Sequence, residues 1–204
     1  DMVRKKRPKV SHFIYPHVLK SCPEVLGSNG TKMVHTQIVR TGYEEYPVVK
    51  TALLDAYSRF SSDIAVARLL FDEMSERNVV SWNAMISGYT RAGEMRSAIE
   101  LFEQMPDRDT PSWNSIIAGC THNGMFSEAI HLLRRMIMNG KKPNHVTVLC
   151  SLSAFGHMGM LHLGKSTHNY LLRNGLGPNS HIANGLVDMY GKCVVKKSLQ
   201  LEAG

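Results

Sequence analysis

The feature that most constrains the fold of this chain is an internal repeat. The segment SWNAMISGYTRAG at residues 81–93 returns as SWNSIIAGCTHNG at residues 112–124, with seven of the 13 positions identical. The segments that follow also correspond, because Ala98, Ile99, Leu101 and Met105 match Ala129, Ile130, Leu132 and Met136. Self-similarity at this period indicates a repeat array, in which neighbouring units bury each other's apolar surface.

Each unit is predicted to be a hairpin of two helices. Residues 82–89 carry Trp82, Met85, Ile86 and Tyr89 at helical spacing. Gly93 stands where a helix would end in a left-handed turn, and Pro106 follows the second apolar segment, where a helix cannot easily continue. The sequence therefore predicts an all-α chain of stacked helix-turn-helix repeats.

Four segments carry a resemblance to a known family. They are VVSWNAMISGY at 79–89, LFDEM at 70–74, KKPN at 141–144 and LVDMY at 186–190. The chain resembles the pentatricopeptide repeat (PPR) proteins of the plant PLS type, which alternate 35-residue and 31-residue units. The resemblance implies a right-handed α-solenoid, or superhelix, of repeats of 31–35 residues. A tetratricopeptide array would instead show a Trp-x-x-Leu-Gly-x-x-Tyr pattern at a steady period of about 34 residues.

The resemblance divides the chain into a basic, flexible arm at residues 1–11 and a repeat array at residues 12–193. The predicted units are 12–46 (L-type), 47–78 (S-type), 79–109 (S-type), 110–144 (P-type), 145–179 (L-type) and 180–204 (incomplete S-type). The segment TALLDAY at 51–57 corresponds to NGLVDMY at 184–190, and their separation equals the combined length of the four units from 47 to 179. The agreement supports the register.

Three details of the predicted units concern their turns. In the first unit, Pro23 and the Gly27–Gly30 segment are expected to separate two helices, at Tyr15–Cys22 and Lys32–Val39. The second unit holds one residue more than the 31-residue form, and we expect the extra residue in the turn at Ser61–Asp63. The last unit is expected to begin a second helix after Cys193 and to stop before its closing motif, as in a fragment of a longer protein.

The charge of the chain favours an anionic partner only weakly. The net charge is +7, but residues 1–10 hold five basic residues and one acid, so +4 of it lies in the arm. The arm could clamp phosphates or could simply be a solvated charge run.

The four cysteines form no Cys-x-x-Cys pair, which favours reduced thiols. No apolar run reaches the length of about 18 residues that a membrane span needs.

The resemblance implies that single-stranded RNA binds one base per repeat, read by the fifth and last residues of each unit. These pairs are Thr51 with Asn78, Asn83 with Asp109, and Asn114 with Asn144; Asn184 would read a further base. By the family's pairing rules they favour adenine, uracil and cytosine (then uracil), an A-U-C or A-U-U core read with the N-terminus toward the 5′ end. Val48 and Val80, at the second position, are expected to pack against the bases, whereas Pro111 departs from the usual aliphatic residue.

The L-type units are expected to read few or no bases, because Pro16 with Tyr46 and Leu149 with Asn179 do not fit the pairing rules.

Alternative interpretations remain for the asparagines, tryptophans and histidines of the other motifs. Asn83 and Asn114 could instead bond locally to the backbone. Trp82 and Trp113 could stack on bases, although their place on the apolar stripe favours the core. The motifs Lys32-x-x-His35 and Lys165-x-x-His168 lack the further ligands of a metal site.

The sequence favours a binding protein over an enzyme, with no cofactor and no small-molecule substrate. Many PLS proteins direct cytidine-to-uridine editing of organellar RNA, and deaminases of that kind need His-x-Glu and Cys-x-x-Cys motifs, which this sequence lacks. The resemblance therefore implies RNA binding in a mitochondrion or chloroplast, in editing or another processing step, with editing-complex proteins such as a deaminase supplied by a partner. A protein-interaction scaffold and a truncated, non-functional remnant are the alternative hypotheses.

Overall fold

The computed structural model describes residues 11–175 and 180–202, with the side chains of 200–202 left aside. The predicted arm at 1–11 therefore lies almost wholly outside the described residues, as does Asn179. The described residues are all-α, with ten α-helices, one short 3₁₀ helix and no strand. The all-α fold class predicted from the repeats is confirmed.

The chain divides into two compact units, an N-terminal half to Ala92 and a C-terminal half from Gly93. The N-terminal half contains α1 (Ile14–Thr41), α2 (Pro47–Ser58), a 3₁₀ turn (Ser61–Asp63), α3 (Ile64–Asp72) and α4 (Val79–Ala92). The C-terminal half contains α5 (Met95–Gln104), α6 (Thr110–His122), α7 (Phe126–Met138), α8 (His145–Met158), α9 (Leu161–Arg173) and α10 (Ser180–Glu202).

Stacking of equivalent helices builds the core of each half. In the N-terminal half α2 packs on α4, and in the C-terminal half α6 packs on α8 and α8 on α10. The second helix of each hairpin packs beside this row, as α7 does against α6 and α8. The residues that the repeat aligns are the ones that become buried, including Leu54, Ile86, Ile117 and Leu152, each the eighth residue of its predicted unit. This arrangement follows from helices whose apolar stripes are too wide to be covered by one partner.

Glycines at one repeat position end the first helix of three units. Gly93, Gly124 and Gly159, each the fifteenth residue of its predicted unit, have φ values of 77°, 74° and 72°. A residue with a Cβ is strained in this left-handed region, so glycine stops the helix there.

The last predicted unit differs from the prediction at this same position. Val194 occupies the fifteenth place, and α10 continues without a break from Ser180 to Glu202. The expectation of a new helix after Cys193 is therefore wrong. A β-branched residue does not readily adopt the left-handed turn, and the helix has no other signal to end there.

The first unit also differs in its turn. The helices were expected to be separated by Pro23 and the Gly27–Gly30 segment, but Pro23 is buried inside α1 and does not contribute to the break, so this part of the expectation is wrong. The only non-helical residue in α1 is Gly27, with φ 63° and ψ −158°, so the break is a single-residue kink. Proline removes one backbone donor but leaves its own φ helical, and α1 accommodates this loss. The expected turn at Ser61–Asp63 forms the 3₁₀ helix.

An ion pair joins α5 to α7 and makes stability depend on pH. The Arg135 guanidinium donates hydrogen bonds to Glu103, with Nη2–Oε2 at 2.9 Å, and this lowers the pKa of the Glu103 carboxyl. A lowered folded-state pKa stabilises the fold above the unfolded value, here 4.5, and the stabilisation is lost as the pH falls through the folded value.

We therefore expect Arg135→Met to lower the free energy of unfolding at pH 7, with the difference from wild type shrinking as the pH falls below 4.5. Chemical denaturation at a series of pH values measures this. Arg134→Met, a change at the exposed neighbouring arginine, serves as the control and should show no such pH dependence. A difference for Arg135→Met that stays constant down to pH 3 would contradict the role of the ion pair.

Candidate nucleic-acid interface

The last residues of three predicted units begin the helices that follow them. Asp109 and Asn144 are the N-caps of α6 and α8, and their side chains accept hydrogen bonds from Ser112 N at 2.8 Å and Thr147 N at 3.2 Å. Asn78 does the same for α4, because its Oδ1 accepts from Ser81 N at 2.9 Å. Each of these side chains satisfies a backbone donor that the first helical turn leaves unpaired.

The partner of each cap is a buried hydroxyl residue three positions further on. Ser81, Ser112 and Thr147 are fully buried, and the last two complete a capping box by bonding back to the N-cap backbone. This reciprocal arrangement holds the cap side chain in one orientation. These hydroxyl residues were not among the predicted site residues, although Asn or Asp recurs with Ser or Thr three residues later, and this pattern is a signal in the sequence that indicates them.

We expect Ser112→Ala to lower the free energy of unfolding by about 1–2 kcal/mol, because it leaves Asp109 with one partner fewer at a buried site. The Ser112 hydroxyl donates to Asp109 Oδ1 at 2.5 Å. Ser127→Ala, on the exposed start of α7, is the matched control and should change stability by less than about 0.5 kcal/mol. Equal effects of the two substitutions in urea denaturation would show that the buried hydroxyl adds nothing to the cap.

The C-terminal half brings together the fifth and last residues of the predicted unit 110–144. Asn114 Nδ2 donates to Asn144 Oδ1 at 3.0 Å, and Asn114 Oδ1 accepts from Thr147 Oγ1 at 2.5 Å. Asn114 lies half-buried on α6 and Asn144 is exposed at the start of α8. Two amides from opposite ends of one predicted unit, one on α6 and one at the start of α8, thus form one polar pair at the surface.

The N-terminal half places its own pair in a groove. Thr51 and Asn78 line a groove of about 360 Å³ together with Val48 and Val80, the two predicted base-packing residues. The two valines are exposed, at 57% and 60%. The Thr51 hydroxyl donates to the Pro47 carbonyl at 2.9 Å, so its oxygen retains lone pairs for a further donor. The groove thus combines two polar groups with two apolar side chains.

Three further predicted reading residues lie on α4, at the start of α6 and on α10. Asn83 lies half-buried on α4 in the N-terminal half, and Asp109 lies half-buried at the start of α6 in the C-terminal half. Asn184 is exposed on α10. In the L-type units, Pro16 lines the groove beside Val48, Tyr46 is exposed and Leu149 is half-buried. Pro111 is exposed at the second position of its unit.

The tryptophans belong to the packing of the repeats. Trp82 and Trp113 are buried and meet Phe71 and Phe102 edge to face, at centroid distances of 5.0 and 4.9 Å. They are therefore core side chains and do not offer a surface to bases.

The histidines of the two Lys-x-x-His motifs bond to tyrosines of the next helix. His35 Nδ1 lies 2.9 Å from Tyr57 Oη, and His168 Nδ1 lies 3.1 Å from Tyr190 Oη, so equivalent positions of the two units predicted to be L-type make the same contact. Within residues 11–175 and 180–202, no group of three His, Cys, Asp or Glu side chains could hold a metal ion. None of the helices in these same stretches is long and apolar enough to cross a bilayer.

The thiols of the C-terminal half are held in the protonated form. Burial raises the pKa of Cys120 to about 12 and raises the pKa of Cys150 as well. A thiol is a nucleophile only as the thiolate, so neither residue is suited to covalent catalysis at neutral pH.

The chain is similar to proteins of one family. The model of the PPR repeat family matches residues 77–111 and 108–157. The chain is 57% identical over 193 residues to the pentatricopeptide repeat-containing protein At1g33350 of Arabidopsis thaliana, covering 94% of this chain and 36% of that protein. It is 31% identical over 190 residues to the Arabidopsis thaliana pentatricopeptide repeat-containing protein CRR2, chloroplastic, covering 89% and 24%. Two further Arabidopsis relatives are named as mitochondrial.

Solved structures show the same fold. The crystal structure of the pentatricopeptide repeat protein PPR10 from maize matches with a TM-score of 0.70 at 19% identity, covering 95% of this chain and 29% of that one. PPR10 in complex with an 18-nt psaJ RNA element matches with a TM-score of 0.73 at 20% identity, covering 88% and 28%. The α-solenoid class expected from the resemblance is therefore shown.

Three observations agree on the family. The internal repeat has the expected period, the family model matches the centre of the chain, and the relatives match over nearly all of it. The chain spans well under half the length of these curated relatives. Its repeats, its fold and its relatives together show that the chain belongs to the pentatricopeptide repeat family.

Proposed function

We propose that this chain binds single-stranded RNA along the surface formed by the fifth and last residues of its repeats, one base to a repeat. The observation that carries the proposal is the contact of Asn114 with Asn144, at 3.0 Å. The repeat phase singles out these two positions, and the fold brings them together at the surface. Helical repeats that read one base with two or three side chains provide the precedent, and PPR10, which has this fold, is the protein of an RNA complex.

The hydrogen bonds within the pair of Asn114 and Asn144 favour an acceptor-rich base. The Oδ1 atom of Asn144 already accepts from Val146 N, Thr147 N and Asn114 Nδ2. The Oδ1 atom of Asn114 accepts from Thr147 Oγ1. The groups left for a base are therefore mostly amide N–H donors, with one lone pair remaining on Asn114 Oδ1. The Watson–Crick edge of cytosine presents two adjacent acceptors, N3 and O2. This agrees with the preference of this residue pair for cytosine, then uracil, in the family's pairing rules.

The pair of Thr51 and Asn78 offers a different pattern. Asn78 Oδ1 is used by Ser81 N, which leaves its Nδ2 donors, while the Thr51 oxygen retains acceptor lone pairs because its proton goes to Pro47 O. One donor and one acceptor complement N1 and the amino group of adenine. Val48 and Val80 supply apolar contact for the faces of the base. With uracil at Asn83 and Asp109, the proposed core is A-U-C or A-U-U.

The proposal extends to the cellular setting. Relatives named as chloroplastic or mitochondrial support an organellar protein, although they do not distinguish the two organelles. Within the PLS type, the setting we propose is RNA editing or another processing step of organellar transcripts. The sequence has no zinc-deaminase signature, so the catalysis of editing would come from C-terminal sequence outside this stretch or from a partner protein.

Equilibrium binding to short single-stranded RNAs tests the proposal. RNAs with an A-U-C core and RNAs with the same composition in scrambled order are compared at two salt concentrations. We expect a preference of about tenfold for the core that persists at the higher salt, because base contacts do not release counterions. Equal binding to both RNAs that disappears with salt would show phosphate contact alone and contradict base reading. Absence of binding to either RNA would favour the scaffold or remnant hypothesis.

A further inference from the structure

A column of aromatic rings lies at the end of the N-terminal half. The His12 ring stacks on Tyr46 at a centroid distance of 4.3 Å and an angle of 23°, and it meets Phe13 at 4.0 Å. Phe13 is 67% exposed and Tyr46 is 41% exposed. We define the aromatic column as His12, Phe13 and Tyr46. Exposed aromatic rings that contact one another form a contiguous apolar patch, which is typical of an interaction site.

Tyr43 packs against the aromatic column and connects it to the buried Tyr15. Tyr43 meets Tyr46 edge to face at 5.5 Å and also contacts Tyr15 at 5.9 Å. Tyr15 is buried, and its hydroxyl lies 3.1 Å from Thr41 Oγ1. The exposed rings therefore rest on an anchored layer, and a ligand that stacks on them would lose little entropy in ordering them.

The repeat phase places Tyr46 among the candidate reading residues. Tyr46 is the last residue of the unit 12–46 and the N-cap of α2, the place that Asn78 and Asn144 occupy before α4 and α8. Unlike those residues, it makes no side-chain capping bond. The next two residues, Pro47 and Val48, line the proposed base-reading groove together with Pro16. Tyr46 therefore directly precedes, in the chain, two residues that line the groove of Thr51 and Asn78.

We propose that the aromatic column is a stacking site for one nucleobase, next to the base read by Thr51 and Asn78. The inference rests on the proposed RNA binding and adds a contact that the pairing rules do not assign, since Pro16 and Tyr46 offer the base no matched pair of amide groups. Stacking on aromatic rings accepts every base, because each has a π face. The site therefore takes any base, with purines preferred for their larger ring area.

The charges around the column are compatible with an RNA ligand. The neighbouring carboxylate of Glu45 is paired with Lys50 Nζ at 2.9 Å. Lys20 lines the adjoining groove from α1 and can face a phosphate. With the N-terminus toward the 5′ end of the RNA, the stacked base is the nucleotide on the 5′ side of the adenine in the core.

The test uses the full chain and an A-U-C RNA that carries one extra 5′ nucleotide. With 2-aminopurine at that nucleotide, we expect its fluorescence to be quenched on binding. Replacing that nucleotide by an abasic residue should weaken binding to the wild type about tenfold. Tyr46→Leu and Phe13→Leu keep apolar volume without a ring and should lose the quenching and the abasic effect. Tyr46→Phe should retain both.

Controls separate this inference from loss of the fold and from failure of RNA binding. Met33→Ala changes an exposed apolar side chain of α1 outside the column and should behave as wild type. Each variant's melting temperature should match that of the wild type. If the wild type prefers the A-U-C core but shows neither quenching nor an abasic effect, the stacking site is wrong and the proposed function stands. If the wild type shows no core preference, both are overturned.

Discussion

Replacing Trp113 with alanine is expected to lower the free energy of unfolding by about 3–5 kcal/mol, the range found for large aromatic side chains in a packed core. Trp113 is 1% exposed, lies edge to face with Phe102, and has the Arg135 guanidinium 5.8 Å from the centre of its ring. Alanine would leave a cavity between α5, α6 and α7 that these rigid helices cannot fill by relaxation. Urea denaturation followed by circular dichroism measures the loss.

Two further substitutions show whether the cost comes from packing. Met138→Ala removes a side chain that is 85% exposed at the end of α7, and it should cost less than about 0.5 kcal/mol. Trp113→Phe keeps an aromatic ring and removes an indole N–H that has no hydrogen-bond partner among the described residues. It should therefore cost clearly less than alanine. A Trp113→Ala protein as stable as Met138→Ala would contradict the core position and reopen the base-stacking alternative.

Asn114→Thr is expected to shift the base preference of the unit 110–144 from cytosine or uracil to adenine, by about tenfold in relative affinity. The substitution reproduces the pair of Thr51 with Asn78 in a second repeat. A threonine at this place on α6 would donate its hydroxyl to the carbonyl four residues earlier, as Thr51 does to Pro47 at 2.9 Å. The oxygen would then accept from the amino group of adenine, while Asn144 would still donate.

The measurement compares A-U-C and A-U-A cores with both proteins. Asn114→Ala is the first control, and it should weaken discrimination at this base without creating a preference for adenine. Ser115→Ala, at the neighbouring residue whose hydroxyl bonds to Pro111 O, is the second control and should keep the wild-type preference. An Asn114→Thr protein that still prefers A-U-C would show that this pair does not select the third base, even if the chain binds RNA.

Much of the fold followed from the sequence because repetition supplies several copies of each signal. The glycine at the fifteenth position, for example, recurs at residues 93, 124 and 159 with the same left-handed backbone. The errors occurred where a unit lacks its copy of a signal. In the last unit Val194 stands in place of the glycine, and α10 continues through it. In the first unit the kink is at Gly27, and Pro23 lies within the helix before it. The unit bounds and the reading residues remain predictions.

The candidate site could be predicted only in outline. The repeat phase indicated Asn114 and Asn144, but not that their amides would meet or which atoms the caps would use. The buried hydroxyls of Ser112 and Thr147 escaped notice because serine and threonine are usually surface residues. The aromatic column escaped notice because His12 and Tyr46 stand at opposite ends of the first predicted unit and share no motif.

The sequence by itself determined the repeat period and the helical hairpin, indicated the family, and predicted the phase of the residues proposed to read bases. These properties depend on local spacing, since the apolar period, the glycine turns and the proline stops act within a single hairpin. Only the tertiary structure decided which side chains of one hairpin meet those of the next. The donors left on Asn144 depend on its contact with Asn114, which lies 30 residues earlier in the chain. The acceptor left on Thr51 depends on the local hydrogen bond of its hydroxyl to the Pro47 carbonyl. The stack of His12 on Tyr46 joins residues from opposite ends of the first predicted unit.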